Sequence, residues 1–155
     1  MPDNEWDEIL VAAAEKVLET MFFTGVYGPA EAGASLAGQH LTARLTFEGT
    51  PSGTLTLSIS EPAARTLAAN FLASEEDEPL PAAQLGSVVC ELANMICGSL
   101  LSRVTSEDHF RLSSPEPLAD DAAYPPRQPN QSLLVGEGLG DGTIDLWLTL
   151  EHHAT

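Results

Sequence analysis

Ser87-Val88-Val89-Cys90-Glu91-Leu92-Ala93-Asn94-Met95-Ile96-Cys97-Gly98 lies inside a long helix-forming segment running from about Pro81 to Val104. On a helix turning about 100° per residue, steps of four, three and four put Ser87, Glu91, Asn94 and Gly98 on one stripe. Leu85, Val89, Leu92, Ile96 and Leu100 fall on the opposite side. The segment therefore has a core face and an outward face. An acid and an amide on an outward face are ordinarily just solvated. Here two of the choices are unfavourable for a helix. Asparagine is a mediocre helix former, and a glycine inside a helix costs about 1 kcal/mol relative to alanine. Small residues at both ends leave the Glu91 and Asn94 tips open to a partner.

The chain of 155 residues is long enough to bury a proper core, and it reads as one domain over 1–155. Hydrophobic content of 43% and charged content of 19% mark most of it as globular. The formal net charge is -17, with Lys16 and five arginines as the whole basic set. Such a balance argues against binding the nucleic-acid backbone or an anionic membrane. No basic region precedes an apolar run at the N-terminus, and no stretch reads as a membrane span, so a cytoplasmic protein is expected. Cys90 and Cys97 stand seven positions apart on one helix, roughly 10 Å, which is beyond disulfide reach. They read as thiols flanking the core face.

Outward from this helix, Trp6, Ile9, Leu10, Ala13, Val17 and Met21 recur at helical spacing after a cap at Asp3 or Asn4. That first helix is expected to end near Thr24-Gly25, with Met21, Phe22 and Phe23 packed. Residues 27–39 read as a connection. Leu41, Ala43, Leu45 and Phe47 alternate with polar residues, as do Leu55, Leu57 and Ile59 beyond a Gly49–Gly53 turn. This predicts an antiparallel hairpin over 41–60. The turn precedes a strand and lacks a lysine, so it is no phosphate loop.

Glu61-Pro62 opens a second helix with Ala64, Leu67, Ala68, Phe71 and Leu72 on its apolar side. Residues 74–78 form an acidic linker. His109 to Ser113 reads as a short strand, and the Pro-rich 119–131 as a mobile loop. Residues 133–135 and 143–150 make a final hairpin. Its last strand sends Ile144, Leu146, Leu148 and Leu150 one way, and Asp145, Trp147 and Thr149 the other. The fold class is α+β: an antiparallel sheet of two hairpins plus a short strand, with long helices on one face.

No serine elbow, HExxH or CxxC is present, and His40, His109 and the His152-His153 pair are isolated, so no bound metal is expected. Ser87, Glu91, Asn94 and Pro117 fit the pattern [D/S]-x3-E-x2-N-x22-P without a gap. With the order of elements around it, the chain resembles the CheC/CheX/FliY family of chemotaxis phosphatases over nearly its whole length. It is most similar to CheX-like members, which carry one copy of the motif. The heavy acidity and the Pro-rich insert depart from the family pattern.

The resemblance implies hydrolysis of the aspartyl phosphate on a CheY-like response-regulator receiver domain. It implies Glu91 and Asn94 as catalytic residues, with Ser87, Gly98 and Pro117 supporting the motif. It also implies a homodimer, and Mg2+ held by the receiver rather than by this chain. The alternatives are a binding module that docks a receiver or scaffold without catalysis and, with less support, a small-molecule sensor.

Overall fold

The computed structural model describes residues 3–31, 34, 39–49, 51–72, 81–104, 110–118, 128–136 and 142–151. The acidic linker, His109, most of the Pro-rich loop and the terminal histidines lie outside them. Helix α1 spans Asp3–Met21 and buries Trp6, Leu10, Ala13, Val17 and Leu18. It ends before the expected Thr24-Gly25. Phe23, with φ of 51°, takes the left-handed position where a glycine was expected, and the Thr24 amide reaches back to the Leu18 carbonyl at 2.9 Å. The expectation of three packed residues here is corrected. Phe22 alone is buried, stacked on Phe71 at 4.9 Å, while Met21 is exposed and Phe23 is 69% exposed.

The sequence reading of 27–39 as a connection is also corrected. Gly25–Pro29 forms a strand, β1, with a bulge between Val26 and Gly28. Its two glycines and proline hid it from a search for alternation. Strands β2 (His40–Glu48) and β3 (Ser52–Ser60) make the expected hairpin, with Leu45 opposite Leu55 and Ala43 opposite Leu57. Directly opposed residues share a face, so both apolar sets point the same way. Helix α2 (Glu61–Leu72) follows, burying Ala64, Leu67 and Ala68 but leaving Leu72 exposed against expectation.

The long helix α3 (Ala82–Arg103) leads to two short strands, β4 (Arg111–Leu112) and β5 (Glu116–Leu118), both antiparallel to β2. Only β4 was expected. Between them, Ser113 donates its amide to the Thr46 carbonyl at 2.8 Å and accepts the Thr46 amide on its hydroxyl at 2.8 Å. Strands β6 (Gln131–Gly136) and β7 (Gly142–Glu151) complete the final hairpin.

One antiparallel sheet of seven strands results, in the order β1-β6-β7-β3-β2-β4, with β5 also on β2. Helix α3 packs on β2 and β3, α1 packs on α3 and reaches β1 and β6, and α2 contacts α3 and β7. Their buried residues join Leu45, Leu57, Ile59, Val135, Ile144 and Leu146 in one core cluster. The class is α+β, as the strand pattern requires.

Asp145 and Trp147 do face away from the core cluster, as the alternation implies, but part of this second face is buried as well, while Thr46 and Thr149 stay exposed. Trp147 is 2% exposed. Thr42, Ser58, Asp145 and Ser132 form one cross-strand row, each a register partner of the next, and all are buried. The Ser132 hydroxyl donates to Asp145 Oδ1 at 2.5 Å, and Thr42 donates to Ser58 at 3.4 Å. Polar residues on alternate positions look solvated in a sequence. Hydrogen bonds across the strands let them be buried instead. The end of the Pro-rich segment is ordered too. Asn130 donates its amide to the Leu146 carbonyl at 2.7 Å and its side chain to Asp7 at 3.0 Å, and Gln131 already belongs to β6.

Candidate functional site

Helix α3 begins after Pro81, whose carbonyl accepts the Leu85 amide at 3.0 Å, and it ends at an extended Val104. Arg103 in its last turn complements the helix dipole. Leu85, Val88, Val89, Leu92, Ala93, Ile96, Cys97, Leu100 and Leu101 are all buried. A wide arc of the helix is thus clamped by the sheet and α1, and the opposite side, flanked by half-buried Cys90, Met95 and Ser99, stays outside. The motif stripe lies on this side. Ser87 and Glu91 are exposed, and Asn94 and Gly98 are half-buried.

By length and composition alone, Ala83–Arg103 would pass for a membrane span, contrary to the sequence reading. Half of the apolar window is buried inside the molecule. The same apolar residues serve here as the core of a sheet-and-helix layer.

The Ser87 hydroxyl donates to the Ala83 carbonyl at 3.1 Å, one turn back, so it is turned onto its own helix. No side-chain hydrogen bond or ion pair joins Glu91 or Asn94 to another described residue. A Cβ added at Gly98 would meet nothing within 4 Å, so the packing of this chain does not require a glycine there. One helix therefore offers a carboxylate and a carboxamide, roughly one turn apart and neither paired with another described residue, beside open space at Gly98. Among the described residues no three His, Cys, Asp or Glu side chains come together as metal ligands.

Pro117 comes to this site through β5. It stands opposite Ala43 on the sheet margin, a position suited to a residue without an N–H. Strand β5 also contacts α3. The 22 intervening residues of the motif thus return the chain to the flank of its own helix.

Cys90 lies on that flank. Its thiol pKa is raised by burial first, then by the Glu116 and Glu91 carboxylates. Cys97 is pushed up to about 12 by burial. Both are free thiols, Cys97 buried and Cys90 half-buried, on the flank the sequence assigned them.

Next to Pro117, Glu116 accepts a hydrogen bond from Arg44 Nη2 at 3.0 Å across the β2–β5 pair. The two side chains are 60% and 41% exposed, so the pair adds at most about 1 kcal/mol to stability. Sequence reasoning missed this pair. Nothing local links Arg44 to a residue 72 positions away, and the only signal was the polar phase of the β2 alternation.

A family model described as chemotaxis phosphatase CheX matches residues 41–132, from the first strand of the hairpin through α3, β5 and into β6. The chain belongs to the CheX family. Its fold is similar to that of the chemotaxis protein CheX from Vibrio vulnificus, with a TM-score of 0.69 at 17% identity over 95% of this chain and 97% of that one. It is similar to the CheX of a CheX–CheY–BeF3–Mg2+ complex from Borrelia burgdorferi, with a TM-score of 0.63 at 14% identity over 95% and 98%. It is also similar to FliY from Thermotoga maritima, with a TM-score of 0.60 at 16% identity over 96% and 90%. No curated protein matches the chain in sequence.

Proposed function

We propose that this protein hydrolyses the aspartyl phosphate of a CheY-like receiver domain, with Glu91 docking the helix and Asn94 positioning the attacking water. The observation that carries this reading is Glu91, exposed, and Asn94, half-buried, on the outward side of a helix whose opposite side is core, neither joined by a side-chain hydrogen bond to another described residue. Membership of the CheX family and the solved CheX–CheY complex support the choice of partner.

Phosphoryl transfer passes through a loose transition state, so catalysis rests on positioning and electrostatics. The Asn94 carbonyl accepts a proton of the water while its NH2 donates, and neither adds negative charge beside an anionic phosphoryl group. Glu91 pairs with a lysine of the receiver and holds α3 in register. Gly98 and Ser87 admit the partner's surface, and Pro117 closes the flank. Such positioning is worth roughly 10- to 1,000-fold, or about 1.4–4 kcal/mol. The receiver supplies the Mg2+ and this chain holds no metal of its own. Loss of stoichiometric metal together with activity on dialysis of the protein alone would contradict this.

The same reading expects a cytoplasmic protein, one domain over 1–155 and, from the CheX resemblance, a homodimer. Trp147 is buried and gives the dimer no support. The margin that suits it is β1, since β4 and β5 occupy the outer side of β2. Light scattering at micromolar concentration checks it, and a monomer removes it.

The main test is phosphate release from a phosphorylated CheY-like receiver, beside affinity for the receiver carrying a beryllofluoride mimic. Asn94→Ala is expected to abolish the acceleration with affinity nearly intact, because its contact matters in the transition state. Glu91→Ala is expected to lower both. Wild-type turnover by Asn94→Ala would leave a binding module that docks receivers without catalysis.

A further inference from the structure

Resting on that reading, we propose that Met95 is a positioning residue for the receiver: it shields the Glu91 contact from water and leaves the Glu91 carboxylate to the partner's cation. Every leucine, isoleucine and valine of α3 is buried, and Met95 is the one large apolar side chain of the helix that is only half-buried. It packs against the core cluster and still reaches the outward side.

Four positions separate Glu91 from Met95, so their side chains are neighbours, about 40° apart round the helix. Long helical side chains lean toward the N-terminus and cover the preceding turn, which brings Met95 over the turn of Glu91. Asn94 lies on the other side of Glu91, about 60° round. Met95 therefore borders the carboxylate without covering the carboxamide.

The neighbours of Glu91 on the helix surface are Ser87, Val88, Asn94 and Met95, none of them a cation. The basic residue of α3 is Arg103, about three turns on, and its Nε donates to Ser99 Oγ at 3.4 Å. A lysine at position 95 would pair with Glu91 at the favourable spacing and compete with the receiver. A methionine cannot. Its thioether is apolar and adaptable, so it follows a partner's contour and removes water from one side of the new ion pair. Such a pair gains strength as water leaves it. In interfaces, the contacts that carry the energy are ringed by others that keep water out, and Met95 holds that place beside Glu91.

Met95 also packs on the core, so the test must separate docking from stability. Met95→Leu and Met95→Gln are made in the wild-type chain and in Glu91→Ala. Phosphate release from a phosphorylated CheY-like receiver is measured with each, together with affinity for the beryllofluoride-loaded receiver and thermal midpoint. Met95→Leu is expected to keep kcat/KM within about 2-fold of wild type. Met95→Gln, of similar length but polar, is expected to lower kcat/KM about 5- to 10-fold, nearly all of it in KM, because Asn94 still meets the same water. In Glu91→Ala the same exchange is expected to change kcat/KM less than about 2-fold, since no ion pair remains to shield.

An equal loss from Met95→Gln in both backgrounds would make Met95 a residue that acts independently of Glu91 and overturn the proposal. Wild-type kcat/KM in Met95→Gln would overturn it as well, as would a loss in Met95→Leu equal to that in Met95→Gln. If Asn94→Ala still abolishes turnover in those cases, the receiver reading survives without Met95. If the wild-type protein neither binds the loaded receiver nor accelerates phosphate release, the receiver reading itself fails and takes this proposal with it.

Discussion

Gly98 is a residue that the packing of this chain does not require, so it can test what a partner needs of the stripe. Alanine there would meet nothing within 4 Å, and the same holds at Gly86 on the same helix. Each substitution removes about 1 kcal/mol of helix penalty, so both Gly98→Ala and Gly86→Ala should raise the urea midpoint. They should differ in binding. Gly98 is on the motif stripe, and in the proposed complex an added methyl group there would stand where the receiver seats. Gly86 lies about 110° round from the stripe centre. Affinity for a beryllofluoride-loaded receiver should fall with Gly98→Ala and stay at the wild-type level with Gly86→Ala. Equal affinities would show that Gly98 is not approached.

At the scale of an element, the middle turns of α3 are exposed at Ser87 and Glu91 because most of its other residues there are apolar and packed. Leu92 is 1% exposed and sits opposite Glu91 and Asn94 in the core cluster. Leu92→Ala should cost about 2–5 kcal/mol through the cavity it leaves, measured by urea unfolding. Asn94→Ala and Glu91→Ala, which leave no cavity, should stay within about 0.5 kcal/mol of wild type. A large loss in either would mean that the stripe is part of the packing. Strands β1 and β5 are held in another way. Each is short and carries a proline, and each depends on a long neighbour for its hydrogen bonds.

The whole molecule couples these elements through one core, and Cys97 reports on it. Its thiol is 0% exposed and its pKa is pushed up to about 12 from 9.0. Below about pH 9 the thiol is protonated in both folded and unfolded chains, so its contribution is fully present. Between pH 9 and 12 the unfolded chain releases a proton that the folded one retains, and stability falls by up to about 1.4 kcal/mol per pH unit. Urea midpoints measured from pH 8 to 10.5 should decline more steeply in wild type than in Cys97→Ala. Identical slopes would show that the folded chain ionises this thiol as readily as the unfolded one.

By itself the sequence determined every element whose period is long and regular. The α3 stripe, the α1 core positions, the 41–60 hairpin and the final hairpin follow from side-chain alternation, which is set by local backbone geometry. The spacing of Ser87, Glu91, Asn94 and Pro117 likewise needed no coordinates. Only the tertiary structure decided that β1 and β5 exist, because glycine and proline carry no alternation and such strands are defined by their neighbours. It alone decided that Asp145 and Trp147 are buried, since burial of a second sheet face depends on what packs over it. It alone brought Arg44 to Glu116 and Pro117 to the flank of α3. Contacts across 72 positions arise from strand pairing, a property of the assembled sheet that no local pattern encodes.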